Sequence, residues 1–145
     1  MLVSETRRVL DRMRERVKAG QPVDFTSIPQ TYSDLIVILY DISHDSGSNQ
    51  TVAVSISSNN GSSWTAIDAS AVTSFSNSQI RGAHWSIYDY ASTRPKRVDK
   101  AFSSQNASTQ FNSMIHSTLS TAINAVRVAL SGGNYDAGTI KMLGR

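Results

Sequence analysis

The chain has no cysteine among its 145 residues, which excludes a disulfide framework and thiolate metal sites. Its stability has to come from packing, strand pairing and self-association. Charge is scarce: only 17% of residues are Asp, Glu, Lys or Arg, and Ser, Thr and Asn take their place as surface formers. Intracellular enzymes usually solubilise themselves with Lys and Glu, so a hydroxyl- and amide-rich surface points toward extracellular or particle-borne β proteins. No apolar run approaches a transmembrane span, and Met1–Arg8 lacks an apolar core of signal-peptide length. The expectation is a soluble protein made without a Sec-type signal. The chain also lacks a Gly-x-Ser-x-Gly elbow, a P-loop and a dinucleotide fingerprint. His44, His84 and His116 stand far apart, with no ligand spacing around them, and Asp41, His44 and Asp45 lack the calcium-loop pattern. No cofactor, metal or catalytic residue is predicted, and the chain is expected not to be an enzyme.

What is present is organised around Ile28–Ile42. From Leu35 to Tyr40 every residue is apolar, and the run is bounded by Pro29 and by the polar cluster Ser43–Gly47. A run so short reads as a strand, and with both parities apolar it is expected to be buried on both faces.

Upstream lies a different kind of segment. Between residues 5 and 18, Arg7, Arg8, Arg12, Arg14, Arg16 and Lys18 face only Glu5, Asp11 and Glu15, which accounts for the whole net charge of +3. Ser4 is a good N-cap, Ala19-Gly20 with Pro22 is a good stop, and Val3, Thr6, Leu10, Met13 and Val17 repeat at coiled-coil spacing. The pattern predicts an amphipathic helix over residues 4–19. A helix this short needs a partner surface. Packing on its own domain, docking or oligomerisation, and nucleic-acid contact are the competing uses. The interleaved acids argue against nucleic acid.

Residues 21–31 read as a linker and lead-in, with Phe25 and Ile28 packing on the edge of a domain that spans residues 32–145. Residues 45–49 suggest a hairpin turn into the alternating strand 51–57, and Asn59-Asn60-Gly61 turns the chain into 63–67. Further strands are expected over 82–90, 110–118, 122–130 and 137–143, with 91–106 as a long loop. The predicted fold class is mainly β: an antiparallel β-sandwich, jelly-roll-like, preceded by one N-terminal amphipathic helix.

Two surface candidates remain. Trp64, Trp85, Tyr88 and Tyr90 are residue types that stack on sugar rings, although tryptophans of a sandwich more often fill its core. Arg94, Lys96 and Arg97 form a second basic cluster that could meet an acidic partner or remain a solvated loop. Asn49, Asn60 and Asn106 open glycosylation triplets, which are expected to be accidental because no signal peptide is expected.

Phe25-x-x-Ile28-Pro-x-x-Tyr32-x-x-Leu35 and Ser131-Gly-Gly-Asn-Tyr-x-Ala-Gly138-Thr-Ile-Lys-Met-Leu-Gly144 together resemble a β-sandwich module of tailed-bacteriophage virion proteins. That module occurs in decoration proteins, head fibres and tail-fibre segments. The resemblance covers roughly residues 25–43 and 122–145. It implies a virion component made in the host cytoplasm, commonly a homotrimer, attached through its N-terminal segment to capsid, portal or tail proteins. Val3, Leu10, Met13 and Val17 would carry the contact, and Arg7, Arg8, Arg12 and Arg14 would meet acidic groups on the particle. The alternatives are a carbohydrate- or receptor-binding module and a small coat protein with a genome-contacting arm.

Overall fold

A computed structural model of the chain describes residues 14–16, 22–67, 75–78, 81–104 and 107–145. Those residues form ten strands: β1 (Arg14–Arg16), β2 (Val23–Phe25), β3 (Asp34–His44), β4 (Val52–Ser57), β5 (Thr65–Ala66), β6 (Arg81–Tyr88), β7 (Arg97–Ser104), β8 (Ala107–His116), β9 (Ala125–Leu130) and β10 (Tyr135–Gly144). Every pairing between them is antiparallel. One sheet runs β1-β10-β3-β6-β7-β8 and the other β2-β9-β4-β5. Among the described residues there is no helix.

Alternation builds the core. Leu35, Val37 and Leu39 of β3 point inward with Trp85 and Ile87 of β6, Val98 of β7, and Ile140 and Met142 of β10. Val23, Phe25, Val52, Val54, Ile56, Val126 and Val128 of the smaller sheet join the same apolar cluster. The two sheets therefore share one core, an arrangement consistent with a β-sandwich.

Several expectations need correction. The segment predicted as a helix over 4–19 contains β1, whose Arg14–Arg16 pair with Thr139–Lys141 of β10. The rest of that segment lies outside the described residues. The turn at 45–49 does not close a hairpin: β3 and β4 belong to different sheets, so it carries the chain across the core. Residues 91–106 are not one long loop, because β7 runs through them between β6 and β8. β3 is not buried on both faces. Ile36 and Ile38 are only half-buried, and Tyr40 is 51% exposed. The β4–β5 hairpin stands as predicted. The lead-in contributes β2, and Phe25 and Ile28 are 6% and 3% exposed.

The pair β3–β10 is bent by an irregularity on both strands. Register shifts lie on either side of Ala137 in the β3–β10 pairing, and between Leu39 and Ile42 where β3 pairs with β6. Asp41 has φ 49° and Gly138 φ 105°. A Cβ at Gly138 would stand 2.6 Å from the Ile42 Cα, so this close approach requires glycine. At the far end Gly144 lies flat beneath the Tyr32 ring, where a side chain would collide. Arg145 and Asp34 then exchange backbone hydrogen bonds in both directions.

Candidate functional site

The four aromatic candidates do not form a common surface. Trp85 is fully buried, edge-on to Phe102 at 5.6 Å, with its indole N–H unpartnered. Tyr90 is also fully buried. Its hydroxyl donates to the Pro29 carbonyl and accepts from the Tyr32 N–H, while its own carbonyl accepts from the Ile123 N–H. Burial raises its pKa. Tyr90 thus ties the lead-in to the approach of β9. Tyr88 is half-buried; its hydroxyl donates to Asp99 at 2.9 Å, and the Arg97 guanidinium sits 4.5 Å from its ring centroid. Trp64 is half-buried beneath the Arg127 guanidinium, also at 4.5 Å, and its six-membered ring abuts Gly61.

The basic cluster is largely neutralised from within. Arg94 is paired with Asp89 at 2.6 Å, and Arg97 lies 3.7 Å from Asp99. Lys96 is completely buried: its ammonium donates to the Ser92 and Arg94 carbonyls and to the Ser92 hydroxyl. Desolvation pushes its pKa down. Lys96 organises its own loop in place of facing a partner. Lys100 is a second interior lysine, 2% exposed, opposite Trp85 in the β6–β7 register and 5.5 Å from the Phe102 ring. Burial lowers its pKa as well.

Of the predicted docking residues, Val3, Arg7, Arg8, Leu10, Arg12, Met13 and Val17 lie outside the described residues, and Arg14 is placed in β1. Among the described residues no group of His, Asp and Glu is arranged to hold a metal. His44 is buried; its Nδ1 accepts from the Ser46 N–H and its Nε2 donates to the Phe75 carbonyl. Beside it, the Asn134 N–H binds Asp45 at 2.7 Å and holds that carboxyl below its usual pKa. These residues knit the β3–β4 crossing to the β9–β10 turn.

Sequence reasoning passed over two features. One is a row across the smaller sheet, Asp24–Arg127–Ser55–Ala66, in which Arg127 grips Asp24 with two hydrogen bonds of 2.7 and 2.8 Å while covering Trp64. A lone arginine inside the apolar strand β9 was the available signal. The other is the outer face of the larger sheet, where Leu143 lies opposite Ile36, Lys141 opposite Ile38, and Thr139 opposite Tyr40. Its signal was the apolar run of both parities in β3.

No family model matches the chain, and no curated protein matches it. Among solved structures it is similar to the crystal structure of Scytalido-glutamic peptidase with a peptide-based transition-state analogue. That likeness has 9% identity and a TM-score of 0.37, and covers 86% of this chain and 72% of the peptidase chain. So weak a likeness carries no argument for peptidase activity. The expectation that the chain is not an enzyme is withdrawn: this likeness is too weak to assign an activity, and no observation on the described residues supports excluding one. Among the described residues no helix is long and apolar enough to cross a membrane.

Proposed function

We propose that the chain is a structural subunit of a tailed-bacteriophage particle, a capsid decoration or short spike or fibre protein. It is displayed as a jelly-roll-like β-sandwich and attached through its N-terminal segment. Self-association as a homotrimer, with capsid, portal or tail proteins as the attachment partners, belongs to the same reading.

One observation carries the reading. The two separate stretches that resemble the virion module become a single unit in space. Leu35–Tyr40 pairs with Thr139–Gly144, Tyr32 covers Gly144, and Gly138 sits at the bulge against Tyr40–Ile42. The two stretches that carry the resemblance are thus neighbouring strands of one sheet. A glycan-binding reading receives no comparable support, because Trp85 and Tyr90 are buried and Trp64 and Tyr88 already carry arginines.

The test is peptide mass spectrometry of density-purified particles from cells encoding the chain. The expected result is the full chain in the particles at a stoichiometry of many copies, lost when residues 1–20 are deleted. Its absence from purified particles would sink the proposal. Light scattering of the free protein then checks the trimer.

A further inference from the structure

The edges of the two sheets are finished unequally. Strand β1 has 3 residues, Arg14, Glu15 and Arg16, all charged; β2 has 3, with Asp24 at its centre; β5 has 2. Strand β8 ends the larger sheet with 10 residues, Ala107–His116, and among the described residues no strand pairs with its far side. Edges are normally guarded by shortness, charge, proline or a bulge. The sequence of β8 contains no Lys, Arg, Asp, Glu, Pro or Gly. Its register against β7 runs without a shift from Phe111 to His116.

The ladder fixes which backbone groups this edge offers. Ser117 N–H donates to the Lys96 carbonyl at 2.8 Å, and that pair continues the register of Arg97 opposite His116. Hydrogen-bonded and non-hydrogen-bonded pairs alternate along an antiparallel ladder. Ile115 and Ser113 therefore bond across to Val98 and Lys100 of β7. Asn112, Met114 and His116 turn their backbone N–H and C=O groups to the open side.

We infer that β8 is a self-association edge, pairing antiparallel with β8 of a second copy about a two-fold axis. Self-complementarity selects that occupant. A register centred on Met114 sets Met114 opposite its own copy and Asn112 opposite His116, so each outward N–H meets an outward C=O. With no charged residue in the strand, two copies bring no like-charge repulsion to the pairing. The larger sheet then runs continuously through two subunits. The inference does not rest on the particle reading. A two-fold edge and a three-fold contact elsewhere combine in a closed dihedral assembly.

The test is the solution mass of the full chain by light scattering over a dilution series. An even number of copies is expected, falling to half in Met114→Pro, which removes an outward N–H and spares the bonds to β7. Asn112→Lys keeps every N–H and sets a charge on the edge; it is expected to halve the mass too, and it covers the case in which the proline variant misfolds. Hydrogen exchange at the amides of Asn112, Met114 and His116 is expected to be slower in the parent than in Asn112→Lys. A monomer, an odd-numbered assembly, or a parent mass retained by a folded Asn112→Lys would overturn the inference. Particle association of the same variants is read separately, so either idea can fail alone.

Discussion

The outward faces of the two sheets are finished differently. On the four-stranded sheet one row crosses all strands as Asp24, Arg127, Ser55 and Ala66, with the arginine held by a carboxylate and stacked over Trp64. Its long side chain covers apolar surface while its charge stays paired at the rim. On the six-stranded sheet the equivalent outward positions of the central strand are Ile36, Ile38 and Tyr40. The same alternation therefore produces a closed polar surface in one place and an unfinished apolar one in the other. An alternating strand guarantees an inner layer; what its outer layer is for depends on what else reaches it.

The inner layer sets the scale against which both faces are judged. Trp85→Ala, removing a fully buried ring packed on Phe102, is expected to cost about 3–5 kcal/mol in urea unfolding. A much smaller loss would mean that the shared core is looser than its burial implies. Gly138→Ala attacks the bulge that ends the apolar strip. With φ at 105° and the Ile42 backbone 2.6 Å from the new methyl, a loss of about 1–3 kcal/mol is expected. Ile38→Asp then probes the outer face directly: Ile38 is half-buried, so a loss of about 1–2 kcal/mol in urea unfolding is expected, and an unchanged stability would show the strip to be fully solvated.

Lys100 offers a pH test of the interior. Its folded pKa lies below the ordinary 10.5 because of burial, so between those two values the unfolded chain binds more protons and stability rises with pH. Tyr90 and Tyr135, whose pKa values burial raises above the ordinary 10, reverse that slope once unfolded tyrosines ionise. Lys100→Met is expected to flatten the rise below pH 10 in thermal melts; an unaltered slope would refute the assignment. The smallest effect belongs to the finished face. Asp24→Ala breaks a two-bonded pair at a position about one-third exposed, so a loss of at most about 1 kcal/mol is expected. It should shrink in high salt.

Much of the fold was legible residue by residue. Val52, Val54 and Ile56 announced β4, and Asn60-Gly61 announced the turn into β5. Strand β7 was hidden because Lys100 occupies an inward position between Val98 and Phe102, breaking the apolar alternation on which strand reading depends. Lys96 deepened the concealment: a run of basic residues reads as solvent-facing loop, yet its ammonium turns inward onto carbonyls of its own loop. The aromatic candidates were ambiguous for a related reason. Nothing local distinguishes Trp85, in the core, from Trp64, under an arginine contributed by a strand far along the chain.

By itself the sequence determined the class of this protein: a cysteine-free, charge-poor β chain whose period-two apolar pattern demands an inner layer, led by a basic segment with its own stripe. It also contained the glycines that the β3–β10 bend and the Tyr32 contact require. Tertiary structure alone decided which sheet each strand joined. The turn at 45–49 suits a hairpin or a crossing equally well, because a turn's residues specify its local angles and not the strand that will accept its successor. It likewise decided that Tyr90 became a buried tie and Arg127 the partner of Asp24, since such pairings join residues that only long-range strand order brings together.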